Sequence, residues 1–426
     1  MLGKVLKYNR IKQQKKQEEV CEGICSISYY SKIENDQIEP SAELVYKLMD
    51  RLNIDEGKLK NQDENKVKDE LIKWGEALVE KDKDEAYELY FHLQEKIGFV
   101  KEEKISLLYK IFYSRYCCLN EDFATAKEMM EKIEHDVYRV NDVELYFYFY
   151  KCQVGYLDYH GNYAKAKEAI ETAEKYINYA IHPQIQITDL YFMAGLFSYR
   201  MHNDTVGIYY MKKALQGFES IYNYTRSAEC HITMGLCYRN LKQGEEAKQH
   251  YSYANKIAKQ IKDESLQASV LHNTAQLYQG LNDPFKAIQF FQMSYRLRNG
   301  EERLVSISGM LDEFYKLGHE QEMLTWIEHG FEIIDDVKSK RQLDGLETVF
   351  YYRYLFYRVL IDPKYKKDFE KVMTEIIIPY FEDKERPAHV AYFAEKTAEY
   401  FEEKEDFTNA TVYYKKAYKS LYTIVY

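Results

Sequence analysis

Apolar residues in the first sixty positions recur at helical spacing, broken by short polar turns. Leu2, Val5, Leu6 and Ile11 fall on one face at a period of 3.6, which predicts a first helix. A second short helix is expected over 17–24, then a turn at Cys25-Ser26 and a third helix over 27–34, with Tyr30 and Ile33 as its core residues. Asn35-Asp36 tolerates the left-handed backbone that ends a helix. Pro40 closes the next loop and Ser41 is the expected N-cap of a fourth helix carrying Leu44, Leu48 and Leu52. Two short helices about a tight turn are the ingredients of a helix-turn-helix.

Residues 55–70 are polar and nearly without apolar spacing, so a linker is placed at 61–70, between a first domain at 1–60 and a second at 71–426. Beyond it a turn signature recurs at Asp122-Phe123, Asn162-Tyr163, Gly244-Glu245, Asp283-Pro284 and Asp406-Phe407, each expected to open the second helix of a hairpin. Gly155, Gly195, Gly235 and Ala275 are spaced at 40, and about 19 residues later come further small residues at Ala173, Ala214, Ala254 and Ser294. A fixed period with small residues where helices cross is the mark of a solenoid of helical hairpins. It resembles the tetratricopeptide repeat with a longer period, clear over 105–295 and again over 390–420, and blurred over 300–390.

Composition supports the same reading. Only 6 Pro and 18 Gly interrupt 426 residues, so an all-α fold is expected. Most of the 43 Tyr and 21 Phe sit at helical spacing, as in Tyr146 to Tyr150, and are read as packing between helices with hydroxyls at the edges. Seven Cys without a Cys-x-x-Cys suggest neither a disulfide framework nor zinc, and a reducing, cytoplasmic setting is expected. No apolar run approaches the ~18 residues a membrane span needs.

Charge separates the two parts. The first sixty residues carry 11 Lys+Arg against 10 Asp+Glu, the rest 48 against 59. Every charge before Glu18 is basic: Lys4, Lys7, Arg10, Lys12, Lys15 and Lys16. Nucleic acid, if bound, is expected at that end.

The residues Gln17-Glu18-Glu19-Val20, Ser31-Lys32-Ile33-Glu34-Asn35 and Pro40-Ser41 resemble the Cro/phage-repressor type of helix-turn-helix. In such a module the third helix lies in the major groove of double-stranded DNA, which makes Ser28, Tyr29 and Lys32 the base-reading candidates. The resemblance implies that Gln17 touches phosphate.

In a right-handed superhelix of hairpins the first helix of each repeat lines the concave face. With the small residue as position eight, that face carries Arg200, Glu229, Asn240, Asn273 and Gln276, the candidates for holding a peptide. Asn273 is the sharpest, because an amide pairs with both the C=O and the N–H of an extended backbone. Arg200 suits a peptide carboxylate.

A repressor-type head joined to long-period repeats resembles the RRNPP family of Gram-positive quorum-sensing regulators. That resemblance implies a receptor for a short re-imported signalling peptide, a homodimer with two heads on paired half-sites, and a further partner in a response regulator of the sporulation phosphorelay. Two rival readings stand beside it. An enzyme lacks support, with no Gly-rich phosphate loop, no Gly-x-Ser-x-Gly and no partner histidine for His319-Glu320; neither cofactor nor metal is expected. The other rival is an interaction adaptor, or an inhibitor binding a response regulator, with no role on DNA.

Overall fold

The computed structural model describes residues 2–35, 37–38, 40–54, 64–98, 100–178, 183–343 and 345–425. Among them every regular element is helical. The expected Asp36 turn and the 55–63 part of the expected connection lie outside the described residues, as do the side chains of Leu2, Lys4 and Val5.

The chain divides into two compact units, Met1–Leu241 and Lys242–Tyr426. The first opens with α1 (Leu2–Lys12), α2 (Gln17–Cys21), α3 (Ile27–Glu34) and α4 (Ala42–Arg51). Leu6, Val20, Tyr30, Ile33, Leu48 and Leu52 form their shared core, whereas Ile11, expected on the same face, is 57% exposed. The second helix stops at Cys21, short of the expected position 24, because Gly23 takes φ +71° and turns the chain toward Ser26. Ser26 and Ser41 cap α3 and α4, accepting from the N–H groups of Tyr29 and Leu44. Asn35 closes α3 with φ −96° rather than left-handed backbone, its amide donating to the Ser31 carbonyl.

The rest of the first unit comprises α5 (Glu64–Glu80), α6 (Lys83–Ile97), α7 (Glu103–Leu119), α8 (Phe123–Val140), α9 (Val143–Tyr159), α10 (Tyr163–Tyr176), α11 (Gln184–Arg200), α12 (Asp204–Ser220) and α13 (Tyr224–Asn240). Residues 64–70, placed in the connection by their polarity, form the first turns of α5, where Val67 and Leu71 are buried together with Trp74 and Leu78. Trp74 is fully buried and donates to the Ala86 carbonyl at 3.0 Å, with Tyr109 stacked on it at 5.5 Å. Phe147, Tyr148 and Phe149 are equally buried, in line with the packing role read from their spacing.

The second unit holds α14 (Gly244–Gln260), α15 (Glu264–Gly280), α16 (Pro284–Leu297), α17 (Arg303–Leu317), α18 (Glu320–Lys340), α19 (Gly345–Ile361), α20 (Ile378–Asp383), α21 (Pro387–Glu403) and α22 (Phe407–Val425). The blurred stretch contains two more hairpins. In the second of them, a 3-10 turn at Lys366–Asp368, one α turn and a π-helical run at Val372–Ile377 precede α20. Pro379, which has no N–H to continue an α ladder, sits just after that run. The aromatic rows here also pack inward with hydroxyls satisfied at their edges: Tyr354 donates to the Leu304 carbonyl and Tyr357 to Asp312, each at 2.6 Å.

The period of 40 has a simple origin. From Gln184 to Gly280 five successive helices are each 17 residues long, joined by three-residue turns. In these turns the middle residue is left-handed: His202, Tyr222, Lys242 and Lys262 have φ between 54° and 61°. Asn203 then donates to Ser198 and His202 to Tyr199, the paired bonds of a Schellman closure. The same bonds recur at 117–122, 278–283 and 401–406. Asp122, Asp283 and Asp406 each accept from an N–H of the helix that follows, as the turn signature predicts.

Where helices cross, glycine permits contact. A Cβ on Gly195 would lie 2.7 Å from Met211, and one on Gly217 only 2.1 Å from Thr188 Oγ1. Gly217→Ala is therefore expected to destabilise the chain by about 1–3 kcal/mol. Gly280→Ala, with nothing within 4 Å of the added methyl, is expected to gain about 0.5–1 kcal/mol. Thermal unfolding of the full chain followed by circular dichroism compares the two; equal midpoints would show that α11 and α12 are not in close contact.

Candidate nucleic-acid interface and ligand cavity

In the head, the cap at Ser26 fixes the start of α3 and leaves Ser28, Tyr29 and Lys32 exposed on one side, opposite buried Tyr30 and Ile33. Among the described residues none of those three exposed side chains forms a hydrogen bond or an ion pair. Ile27 is also turned out, 47% exposed. Lys7, Lys12 and Lys16 are exposed as well, and Lys12 approaches Glu95 of α6 at 3.7 Å.

Arg10 departs from that basic face. Its Nε and Nη2 donate to the two oxygens of Glu34 at 2.6 and 3.0 Å, and Nη1 donates to the Lys15 carbonyl. The Gln17 amide donates to the same Glu34 at 2.6 Å, so this side chain, expected at a phosphate, ties the start of α2 to the end of α3. Glu34 is 1% exposed. Burial alone would raise its pKa, yet the bonds from Arg10 and Gln17 outweigh it and hold the carboxyl below its usual value.

The peptide candidates fall into two groups. In the first unit Arg200 pairs with Asp158, Glu229 with Lys81 and Arg226, and Asn240 donates to Asp204 at 3.1 Å. In the second, Gln276 meets His272 at 3.1 Å, whereas Asn273, half-buried one turn away, forms no hydrogen bond or ion pair among the described residues.

Sequence reading missed the charged centre of the first unit. Asp189 on α11 is fully buried, with Lys151 of α9 at 2.9 Å, Arg226 of α13 at 2.8 Å and Arg115 of α7 at 3.6 Å. Burial raises the Asp189 pKa, but Lys151, Arg115 and Arg226 overcome it and hold the carboxyl well below the carboxylate range. A signal was present: Arg115, Lys151, Asp189 and Arg226 are spaced by 36, 38 and 37 residues, close to the repeat, and Asp189 interrupts an apolar run.

Among the described residues no helix is long and apolar enough to cross a membrane, and no cluster of side chains suits a metal ion.

A repressor-type head followed by an array of helical hairpins defines the class: a helix-turn-helix domain on a helical-repeat scaffold. The helix-turn-helix family matches residues 6–59. Transcriptional activator NprA of Geobacillus stearothermophilus is 28% identical over 413 residues, covering 95% of this chain and 100% of that protein. The apo form of the quorum sensor NprR from B. thuringiensis shares the fold with a TM-score of 0.70 at 20% identity, over 84% of this chain and 99% of that one. NprR in complex with its cognate peptide NprX gives 0.54 at 22% identity, over 83% and 99%. The expected all-α fold with an N-terminal helix-turn-helix is the one found, and these regulators share it.

Arg10→Met leaves the Glu34 charge buried and unpaired, which is expected to cost about 3–5 kcal/mol. Hydrogen exchange of the 20–33 amides reads this locally. Because the Glu34 pKa is depressed in the folded state, its stabilisation is present above the ordinary glutamate value of about 4.3 and is lost as pH falls through the lower folded value. Unchanged exchange in the variant would show that the pair does not hold the head together.

Proposed function

We propose that this protein is a peptide-responsive transcription regulator, acting in the cytoplasm where its DNA is found. Residues 1–60 read double-stranded DNA, 61–70 connect, and 71–426 receive a short signalling peptide. Ser28, Tyr29 and Lys32 contact base edges, and Gln17 positions α2 against the phosphate backbone while holding Glu34. Asn273 holds the peptide backbone, with Gln276 beside it. In the first unit Arg200, Glu229 and Asn240 are the contacts. A homodimer presents two heads to half-sites about one helical turn apart.

One observation carries this reading. Ser28, Tyr29, Lys32 and Asn273, picked for outside ligands, are polar side chains without an internal partner among the described residues. Ser28, Tyr29 and Lys32 share the exposed face of α3, where DNA can replace water as their partner, and the half-buried Asn273 amide is left to pair with a peptide backbone. The end-to-end likeness to an activator and the fold shared with a quorum sensor support the same reading.

Two measurements test the two halves. Fluorescence anisotropy with a selected pool of random duplexes is expected to show binding that falls steeply between about 50 and 200 mM salt. Lys32→Ala is expected to weaken it by about 1–3 kcal/mol. Absence of DNA binding at any salt would leave the adaptor or response-regulator inhibitor in its place. Calorimetric titration of the full chain with short synthetic peptides is expected to reveal binding that Asn273→Ala weakens tenfold or more; an unchanged affinity would remove Asn273 from the site.

A further inference from the structure

One cavity of the first unit gathers more positive charge than its carboxylates neutralise. Lys81, Arg115, Arg200 and Arg226 line a cavity of about 340 Å³ together with Asp158. Asp189 and Glu229 lie against its cations, and Lys151 stands behind Asp189. Five cations thus meet three carboxylates. Asp189 is shared by three of them and Glu229 by two, with Arg226 common to both.

Arg226 is 1% exposed and lies on the Phe192 ring at 3.8 Å, yet its Nε donor has no partner. A buried donor left unmet is costly, and the excess positive charge of Lys81 and Arg200 at the cavity adds repulsion. Both costs fall if an anion enters. The cavity also leaves room for one. Gly155 forms part of the wall, and a Cβ there would stand 3.6 Å from Arg115 Nη1, so its absence keeps that guanidinium edge clear. Arg200, 54% exposed, stands where the cavity meets solvent. Planar guanidinium forks match a carboxylate through paired N–H bonds, and a cationic ligand would meet like charge here.

We propose that this cavity is a carboxylate site. Resting on the peptide-receptor reading above, the ligand is an acidic peptide whose C-terminal or side-chain carboxylate pairs with Arg115, Arg200 and Arg226. That carboxylate adds the missing negative charge and orients the peptide along the first helices of the first unit.

Calorimetry on the full chain with four matched pools of synthetic heptapeptides tests this. The pools carry a free or an amidated C-terminus, each with or without Asp and Glu in the sequence. Pools bearing a carboxylate are expected to bind at least tenfold more tightly than the pool with none, and the two single-carboxylate pools distinguish a terminal from a side-chain source. Arg115→Gln and Gly155→Leu are each expected to weaken the preferred pool tenfold or more. The second variant fills the cavity without changing any charge, and so keeps the test open if the first fails to fold. Equal binding by the carboxylate-free pool would overturn the inference and leave the receptor reading standing; no binding by any pool would overturn both.

Discussion

The three-residue turn with a left-handed middle position is the constraint on which the rest of the repeat array depends. It costs each non-glycine residue about 1–2 kcal/mol of backbone strain, offset by paired Schellman bonds at His202, Tyr222 and Lys262 and by an N-cap on the next helix at Asn223 and Asp263. With helices of 17 residues, that turn sets the repeat at 40 and keeps equivalent faces in step. Side chains separated by nearly one repeat can then converge, as Arg115, Lys151, Asp189 and Arg226 do.

The head is organised on a different principle. Its core is small, and a single buried ion pair joins α1 to α3 while Gln17 brings in α2. Glu34 thereby fixes the angle at which the outward face of α3 is presented. Arg10, which charge assigns to the basic face, supports the geometry of that surface from behind, and Gln17 joins it on Glu34.

Much of this was legible in the sequence because it is local. Ser41, Asp122 and Asp283 announce helix starts through their own side chains, and the spacing of Gly195 and Ala275 gives the period directly. The polarity of 64–70 concealed the start of α5 because only Val67 is apolar there. The π-helical run before Pro379 hid a hairpin by shifting its apolar positions out of the 3.6 period. The charged centre on Asp189 left only a faint trace in the near-repeat spacing of its members, since each reads alone as an ordinary polar residue on an apolar helix. Only the fold shows that the four belong together.

The Asp189 centre also bears on how the first unit comes apart. In an ideal repeat array each hairpin contacts only its neighbours, and the ends fray independently. Here one buried carboxylate is balanced by cations from α7, α9 and α13, so peeling away any of these helices strands charge in a medium that cannot solvate it. The middle hairpins of the unit are thus bound into one cooperative block.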